Sequence, residues 1–151
     1  MALYRNAVET TAPASVVLIR LAVGAVILSE GIQKFLFPGE LGVGRFAKIG
    51  IPAPGVMAPF VGILEIGCGI LMLIGLLTRL AAVPMIINML VAISTTKIPL
   101  LVHKGFWAMA HEARTDWSVL LGSMFLLILG AGPWSVDCNL QSRFGKFHHR
   151  A

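Results

Sequence analysis

The sequence predicts an all-α protein, an integral membrane four-helix bundle, because of its composition and its four long apolar runs. Of its 151 residues, 57% are hydrophobic and 13% are charged, and the mean hydropathy is +0.86. A soluble domain has about 45–50% apolar and roughly 25% charged residues. The length gives room for one domain, and the composition is that of a protein embedded in the lipid bilayer.

Four segments are predicted to cross the membrane, since a spanning helix needs about 20 mostly apolar residues. They cover approximately residues 14–37, 56–77, 80–98 and 117–131 of a single domain over residues 1–151. The fourth run is short, and a start near His111 is left open. Very few residues separate the second span from the third, which predicts a tight antiparallel hairpin.

Two longer connections join the other spans. Residues 39–55 are rich in glycine and proline, and residues 99–116 contain Phe106 and Trp107. The second connection is predicted to lie partly in the membrane interface as a short amphipathic segment. The first apolar run carries internal charge and is not followed by a small-residue cleavage site, so we expect it to remain as a span.

The basic residues flank the apolar runs and do not form a cluster. The formal net charge is +5, but residues placed this way are typical of membrane anchors, and nucleic acid is not a predicted partner. Four spans put both termini on one side, and the flanking basic residues favour cytoplasmic termini. The two sides carry Arg5, Arg79, Arg143, Lys146 and Arg150 against Arg45, Lys48, Lys104 and Arg114.

Charged residues also occur inside the predicted spans, where a lone charge costs at least ~3 kcal/mol. Glu30 and Lys34 lie within the first run, four residues apart. Helical spacing of about 100° per residue places the polar and small residues of each of the first three spans on one face. These faces hold Arg20, Gly24, Ile27, Glu30, Gly31 and Lys34; Gly62, Glu65, Gly69 and Met72; and Pro84, Asn88, Ala92 and Thr95.

Matching depth predicts that most of these groups converge in the half of the bundle away from the termini. The groups are the carboxylates Glu30, Glu65 and Asp116, the ammonium groups Lys34 and Lys97, and the amide Asn88. Arg20 lies in the other half, within reach of Asp137. Two interpretations remain open: an ion pair of Glu30 with Lys34, tied to Glu65, that only holds helices together, or a polar site that binds a substrate or moves protons.

Other chemistries have little support in the sequence. His103 and His111 are eight residues apart in a segment that looks interfacial, so no metal site is predicted. The chain shows no haem, flavin or iron–sulfur motif, and no histidine falls inside a span. Cys68 and Cys138 form no CxxC pair, and Cys68 is best explained as a small packing residue.

The chain resembles the DoxX family of small bacterial membrane proteins, which is related to the DoxD subunit of thiosulfate:quinone oxidoreductase. Three stretches carry the resemblance: RLAVGAVILSEGIQKF on the first span, FAKIGIPAPGVMAPFVGILEIGCGILMLIGLLTRLAA through the second, and GPWSVD after the fourth. The family's polar positions correspond to Arg20, Gly31, Lys34, Glu65, Arg79 and Asp137. The chain departs from the family pattern at Glu30, where a histidine is common, and at Asp116, where a glutamate is usual.

The resemblance implies a multi-pass protein of the bacterial inner membrane with a role in quinone-linked redox chemistry or in a membrane oxidoreductase complex. On that basis the expected catalytic residues are Glu30, Lys34, Glu65 and Asp116, with the carboxylates exchanging protons and Lys34 holding an anionic quinol or a sulfur oxyanion. Quinone binding is expected at Arg20, Asn88 and Lys97. The electrons must come from another membrane or redox subunit, or from a directly oxidised small substrate.

Two alternatives to a redox role are considered. The chain can be a non-enzymatic accessory or scaffold subunit of a larger membrane complex, in which the charges set the register of the helices. A conduit for protons or small solutes is less well supported, because the charges concentrate in one half of the bundle and Arg20 stands in the other.

Overall fold

The structure is a computed structural model that describes residues 13–148, with side chains as far as Ser142. Within this range the chain forms helices α1 (Val16–Leu36), α2 (Val43–Lys48), α3 (Pro54–Ile74), α4 (Thr78–Ala92), α5 (Ile98–Lys104), α6 (Phe106–Leu129) and α7 (Val136–His148), with a π-helical turn, Ile93–Lys97, between α4 and α5. Some of the basic residues counted in the charge balance lie outside the described part of the chain: Arg5, Arg150 and the side chains of Arg143 and Lys146.

The four long helices pack as a closed ring, so the predicted fold class is confirmed. Helix α1 packs on α3 and on α6, and α4 packs on α3 and on α6. The core between them is apolar, and its largest fully buried side chains include Ile27, Met72, Met85 and Leu126, one from each long helix. Each helix therefore contributes to one common core.

The outer surface of the ring is apolar as well. Leu18, Ile63, Ile87 and Ile128 are 57–70% exposed and face away from the core. Among the described residues, three helical stretches are long and apolar enough to cross a membrane by length and composition: Val16–Leu36, Pro54–Ile74 and Thr78–Lys104. Lipid is the medium in which such a surface is stable, since water would meet a large exposed apolar area.

The later part of the chain differs from the sequence expectation. Residues 99–116 are helical apart from Gly105 (φ +82°), because Thr78 to Lys104 is helical throughout and α6 begins at Phe106. The predicted fourth span, residues 117–131 with a start near His111 left open, overlaps α6, which has 24 residues from Phe106 to Leu129. The charged residues between positions 112 and 116 mask its helical start in the sequence.

Helices α1 and α3 approach closely because glycines line their contact. A Cβ atom added to Gly31 would lie 2.8 Å from the Gly62 carbonyl oxygen, and one added to Gly69 would lie 2.8 Å from the backbone nitrogen of Leu28. Backbone atoms cannot move aside as a flexible side chain can. Only residues without a side chain therefore permit this separation, which brings the polar faces of α1 and α3 together.

Gly69→Ala should reduce the free energy of unfolding by about 1–3 kcal/mol, as an overpacked interface does. Gly67→Ala is the matched control on the same helix, because a Cβ there meets nothing within 4 Å and alanine favours the helix by roughly 0.5–1 kcal/mol. Denaturant unfolding of both variants in the same detergent measures the difference. Equal stabilities for the two would contradict the close packing at Gly69.

Candidate functional site: a polar cavity inside the bundle

A cavity of about 550 Å³ opens in the half of the bundle away from the chain termini. Helices α1, α3, α4 and α6 form its walls, and residues 41–52, which include α2, cover one end. The volume lies within the range of small-molecule pockets, about 300–1,000 Å³. Its polar and charged lining residues are Glu30, Lys34, Arg45, Glu65, Asn88, Thr95, Thr96, Lys97, Glu112, Thr115 and Asp116. We call this space the polar cavity.

Glu65 is the centre of the polar cavity. Its side chain is 3% exposed, and Lys34 Nζ lies 2.6 Å from its Oε2. Asn88 Nδ2 donates to Oε1 at 2.8 Å. Both carboxylate oxygens thus have a donor, from α1 and from α4, as a buried charge requires. Three helices are joined through one carboxylate.

Lys34 therefore forms its ion pair across the helix interface and not along its own helix. The expected pair of Glu30 with Lys34 is absent, and within the described residues the Glu30 carboxylate forms neither an ion pair nor a side-chain hydrogen bond. Glu30 is exposed but lines the polar cavity. Among the described residues, Glu30 is therefore an unpaired carboxylate in the same cavity as Glu65, whose two carboxylate oxygens both have donors.

A second ion pair closes another wall of the polar cavity. Lys97 Nζ lies 3.1 Å from Asp116 Oδ2, and the two side chains are 8% and 20% exposed. Lys97 is the last residue of the π-helical turn, a feature that is rare in helices and frequent at functional sites. The pair links this turn to α6, which was not predicted from the sequence.

The π-helical turn has a local cause in the sequence Ser94-Thr95-Thr96. The three hydroxyls donate back to the carbonyls of Leu90, Val91 and Ala92, at 2.7, 2.8 and 2.6 Å, and such bonds bend helices. Pro99 has no N–H to continue the α-helical hydrogen bonds of this stretch. A Ser/Thr run shortly before a proline is the signal that could have indicated the irregularity.

Six of the seven predicted site residues line the polar cavity: Glu30, Lys34, Glu65, Asn88, Lys97 and Asp116. Five further polar residues line it that were not predicted as site residues: Arg45, Thr95, Thr96, Glu112 and Thr115. Glu112 is one helical turn before Asp116, so their spacing of four was a usable signal. Arg45 comes from the glycine-rich connection, for which periodicity gives no orientation.

Arg20, the seventh predicted residue, lies in the opposite half, away from the polar cavity. Its side chain is 3% exposed, and its two terminal nitrogens each donate at 2.7 Å, to the carbonyls of Ala131 and Trp134. Arg20 thereby holds the turn between α6 and α7 against α1. Its hydrogen-bond partners are these carbonyls, and Asp137 lies near enough to interact with it electrostatically, as the sequence predicts.

Asp137 instead joins α7 to the start of α4. Its carboxylate accepts the N–H groups of Leu77 at 2.7 Å and of Thr78 at 3.1 Å, the position that a helix N-terminus offers to an anion. Burial raises the pKa of the Asp137 carboxyl above its usual value, and the two backbone donors oppose the rise. Gly75 (φ +70°) leaves no room for a side chain, because a Cβ would lie 2.6 Å from that of Ser135.

The fold and the site define a small helical membrane protein with a charged, partly open cavity in one half. The chain belongs to the DoxX family, whose profile matches residues 15–104. It is similar to the uncharacterized membrane protein Rv3486 of Mycobacterium tuberculosis (strain ATCC 25618 / H37Rv), with 56% identity over 137 residues that cover 87% of this chain and 84% of that protein. No solved structure matches the chain.

Proposed function

We propose that the protein is a quinone-linked redox subunit that binds a quinone headgroup in the polar cavity. The observation that supports this is a partly open space of about 550 Å³ between the four long helices, lined by both ammonium groups and carboxylates. A bound quinone takes up two electrons and two protons to become quinol. The electrons come from a partner redox subunit or a small reductant, and the protons from side chains of the polar cavity.

The residues divide between binding and proton exchange. Lys34 and Asn88 each have donor hydrogens beyond those used on Glu65, and these can reach the carbonyl oxygens of a ring in the polar cavity. Glu30 and Glu112 line the polar cavity and form no ion pair among the described residues. They are free to supply and accept protons, a role that suits positioned carboxylates. Glu65 and Asp116 position the two lysines.

A scaffold role is the second candidate, and the same pairs favour it. Glu65 joins α1, α3 and α4, and the pair of Lys97 with Asp116 joins the π-helical turn to α6. Paired buried charges can serve to fix the register of helices within a larger complex. Under this proposal the polar cavity needs no ligand, and the apolar outer faces meet partner helices.

Quinone retention separates the two proposals. The protein is purified in native nanodiscs, and its bound small molecules are extracted and quantified. The variant Lys34→Met/Glu65→Gln, which replaces the pair by neutral residues of similar size, should lose more than about 90% of the quinone, since a loss of over 1.4 kcal/mol in binding is a factor above ten. Lys48→Met/Glu40→Gln, on exposed residues outside the polar cavity, is the control and should retain it.

The two proposals predict different results in the unmodified protein. No quinone in a folded sample, together with co-purifying membrane proteins, would support the scaffold role and contradict the redox role. Quinone retained equally by both double variants would place the quinone outside the polar cavity.

We also propose a location in the bacterial inner membrane with cytoplasmic termini. The support for the membrane is what the DoxX family implies, and the support for the orientation is five flanking basic residues on the terminal side against four on the other. A reporter that is active only in the cytoplasm, fused to the C-terminus, tests the orientation. A fusion protein that is stably expressed but has an inactive reporter would show that the termini lie on the opposite side of the membrane.

A further inference from the structure

A second, apolar cavity of about 430 Å³ adjoins the polar cavity. It is a groove between α1 and α6 that contains Ile19, Ala22, Val23 and Leu121 among its lining residues. Val26 and Val119 line both the groove and the polar cavity. The two spaces therefore meet at these two side chains.

The arrangement of the two spaces matches an amphiphile in a bilayer. From Val26, the groove follows α1 back to Ile19, which is about 10 Å at the rise of an α-helix, and it contains no charged residue among its lining residues. Every charged lining residue lies on the other side of Val26 and Val119, in the polar cavity. A ligand with a polar ring and an apolar chain can fill both spaces at once.

Glycine and alanine make room for the groove. On α1, Ala22 is exposed and its side chain is small. On α6, Gly122 packs so closely on Val23 that a Cβ atom added to the glycine would collide with the Val23 side chain. The helices thus touch at the base of the groove and leave its outer side open. Lipid chains are as apolar as the lining of the groove, so a ligand chain gains little hydrophobic free energy by entering it. The groove instead fixes the direction in which the chain leaves the polar cavity.

We propose that the groove between α1 and α6 receives the isoprenoid chain of a quinone whose ring occupies the polar cavity. This inference rests on the proposed redox function, and it adds the class of ligand: a quinone with a long apolar chain, and not a ring alone. The chain leaves the bundle between α1 and α6, with Val26 and Val119 at the junction.

Two ligands and two variants test the proposal. The ligands are menadione, a naphthoquinone ring without an isoprenoid chain, and the same ring carrying such a chain. Ala22→Phe fills the groove. Ala25→Phe is the matched control, because Ala25 is exposed on the same helix and lines neither cavity. Binding is titrated in nanodiscs, with the quinone taken up by empty discs subtracted.

The expected result is that Ala22→Phe binds the chain-bearing quinone about tenfold more weakly or worse, as steric filling predicts. It should bind menadione as the unmodified protein does, and Ala25→Phe should bind both normally. Unchanged binding of both ligands by Ala22→Phe would overturn the groove inference while the redox proposal stands. A phospholipid lost from Ala22→Phe without any change in quinone would also overturn it. Failure of the unmodified protein to bind either quinone would overturn the redox proposal itself.

Discussion

Lys34→Met should reduce the free energy of unfolding by about 3 kcal/mol, because it leaves a buried carboxylate without its charged partner. Glu65 is 3% exposed, and Lys34 lies 2.6 Å from it. The Asn88 hydrogen bond to the other carboxylate oxygen remains, but a neutral amide cannot replace a cation. Denaturant unfolding in one detergent, at neutral pH, measures the change, and Lys48→Met, at an exposed position outside the polar cavity, should have little effect.

Adding Glu65→Gln to Lys34→Met should recover most of the free energy of unfolding that Lys34→Met alone removes. The second substitution removes the unpaired charge, and buried ion pairs replaced as a whole are often close to neutral for stability. The double-mutant cycle isolates the coupling of the two residues. Additive effects in the cycle would contradict the direct pair, and a further loss would show that Glu65 has another charged partner.

Arg20→Leu should cost about 3 kcal/mol, since hydrogen bonds to a charged group contribute about 1.5–3 kcal/mol each. The substitution removes the donors to the carbonyls of Ala131 and Trp134, both at 2.7 Å. Arg20→Lys should recover only part of the loss, because a single ammonium group lacks the planar fork that reaches two carbonyls. Arg114→Leu, at an exposed position on α6, is the control.

The same variants also test whether Arg20 belongs to the quinone site. Arg20 does not line the polar cavity, so Arg20→Lys should keep its bound quinone although it unfolds more easily. Thermal unfolding and quinone extraction on one preparation give both values. Loss of quinone from folded Arg20→Lys protein would support the expected role of Arg20 in quinone binding.

The sequence predicted the convergence of the site residues but not their pairing. Glu30, Lys34, Glu65 and Asn88 could be assigned to inward faces, because polar and small residues repeat with the helical period on one face of each span, opposite an apolar face. The partner of Lys34 could not be assigned in the same way. A spacing of four favours Glu30, whereas the structure pairs Lys34 with Glu65, since the glycine contacts bring α3 close enough.

Irregular backbone accounts for the other differences. Lys97 was placed near the end of a regular span, but it enters the polar cavity from a π-helical turn and binds Asp116. Arg45 reaches the polar cavity from the connection between α1 and α3. Neither position can be predicted from a regular helical period. A π-helical turn shifts the phase of the helix that contains it, and a glycine-rich connection has no regular period.

The sequence by itself determined that this is a helical membrane protein with most of its embedded charges in one half of the bundle. Composition and apolar run length depend only on residue type, and the depth of a residue follows from its position along a span. The tertiary structure decided which charges pair, which stay free, and that a groove between α1 and α6 meets the polar cavity at Val26 and Val119. These features depend on helix separation and register, which arise from contacts between residues far apart in the chain.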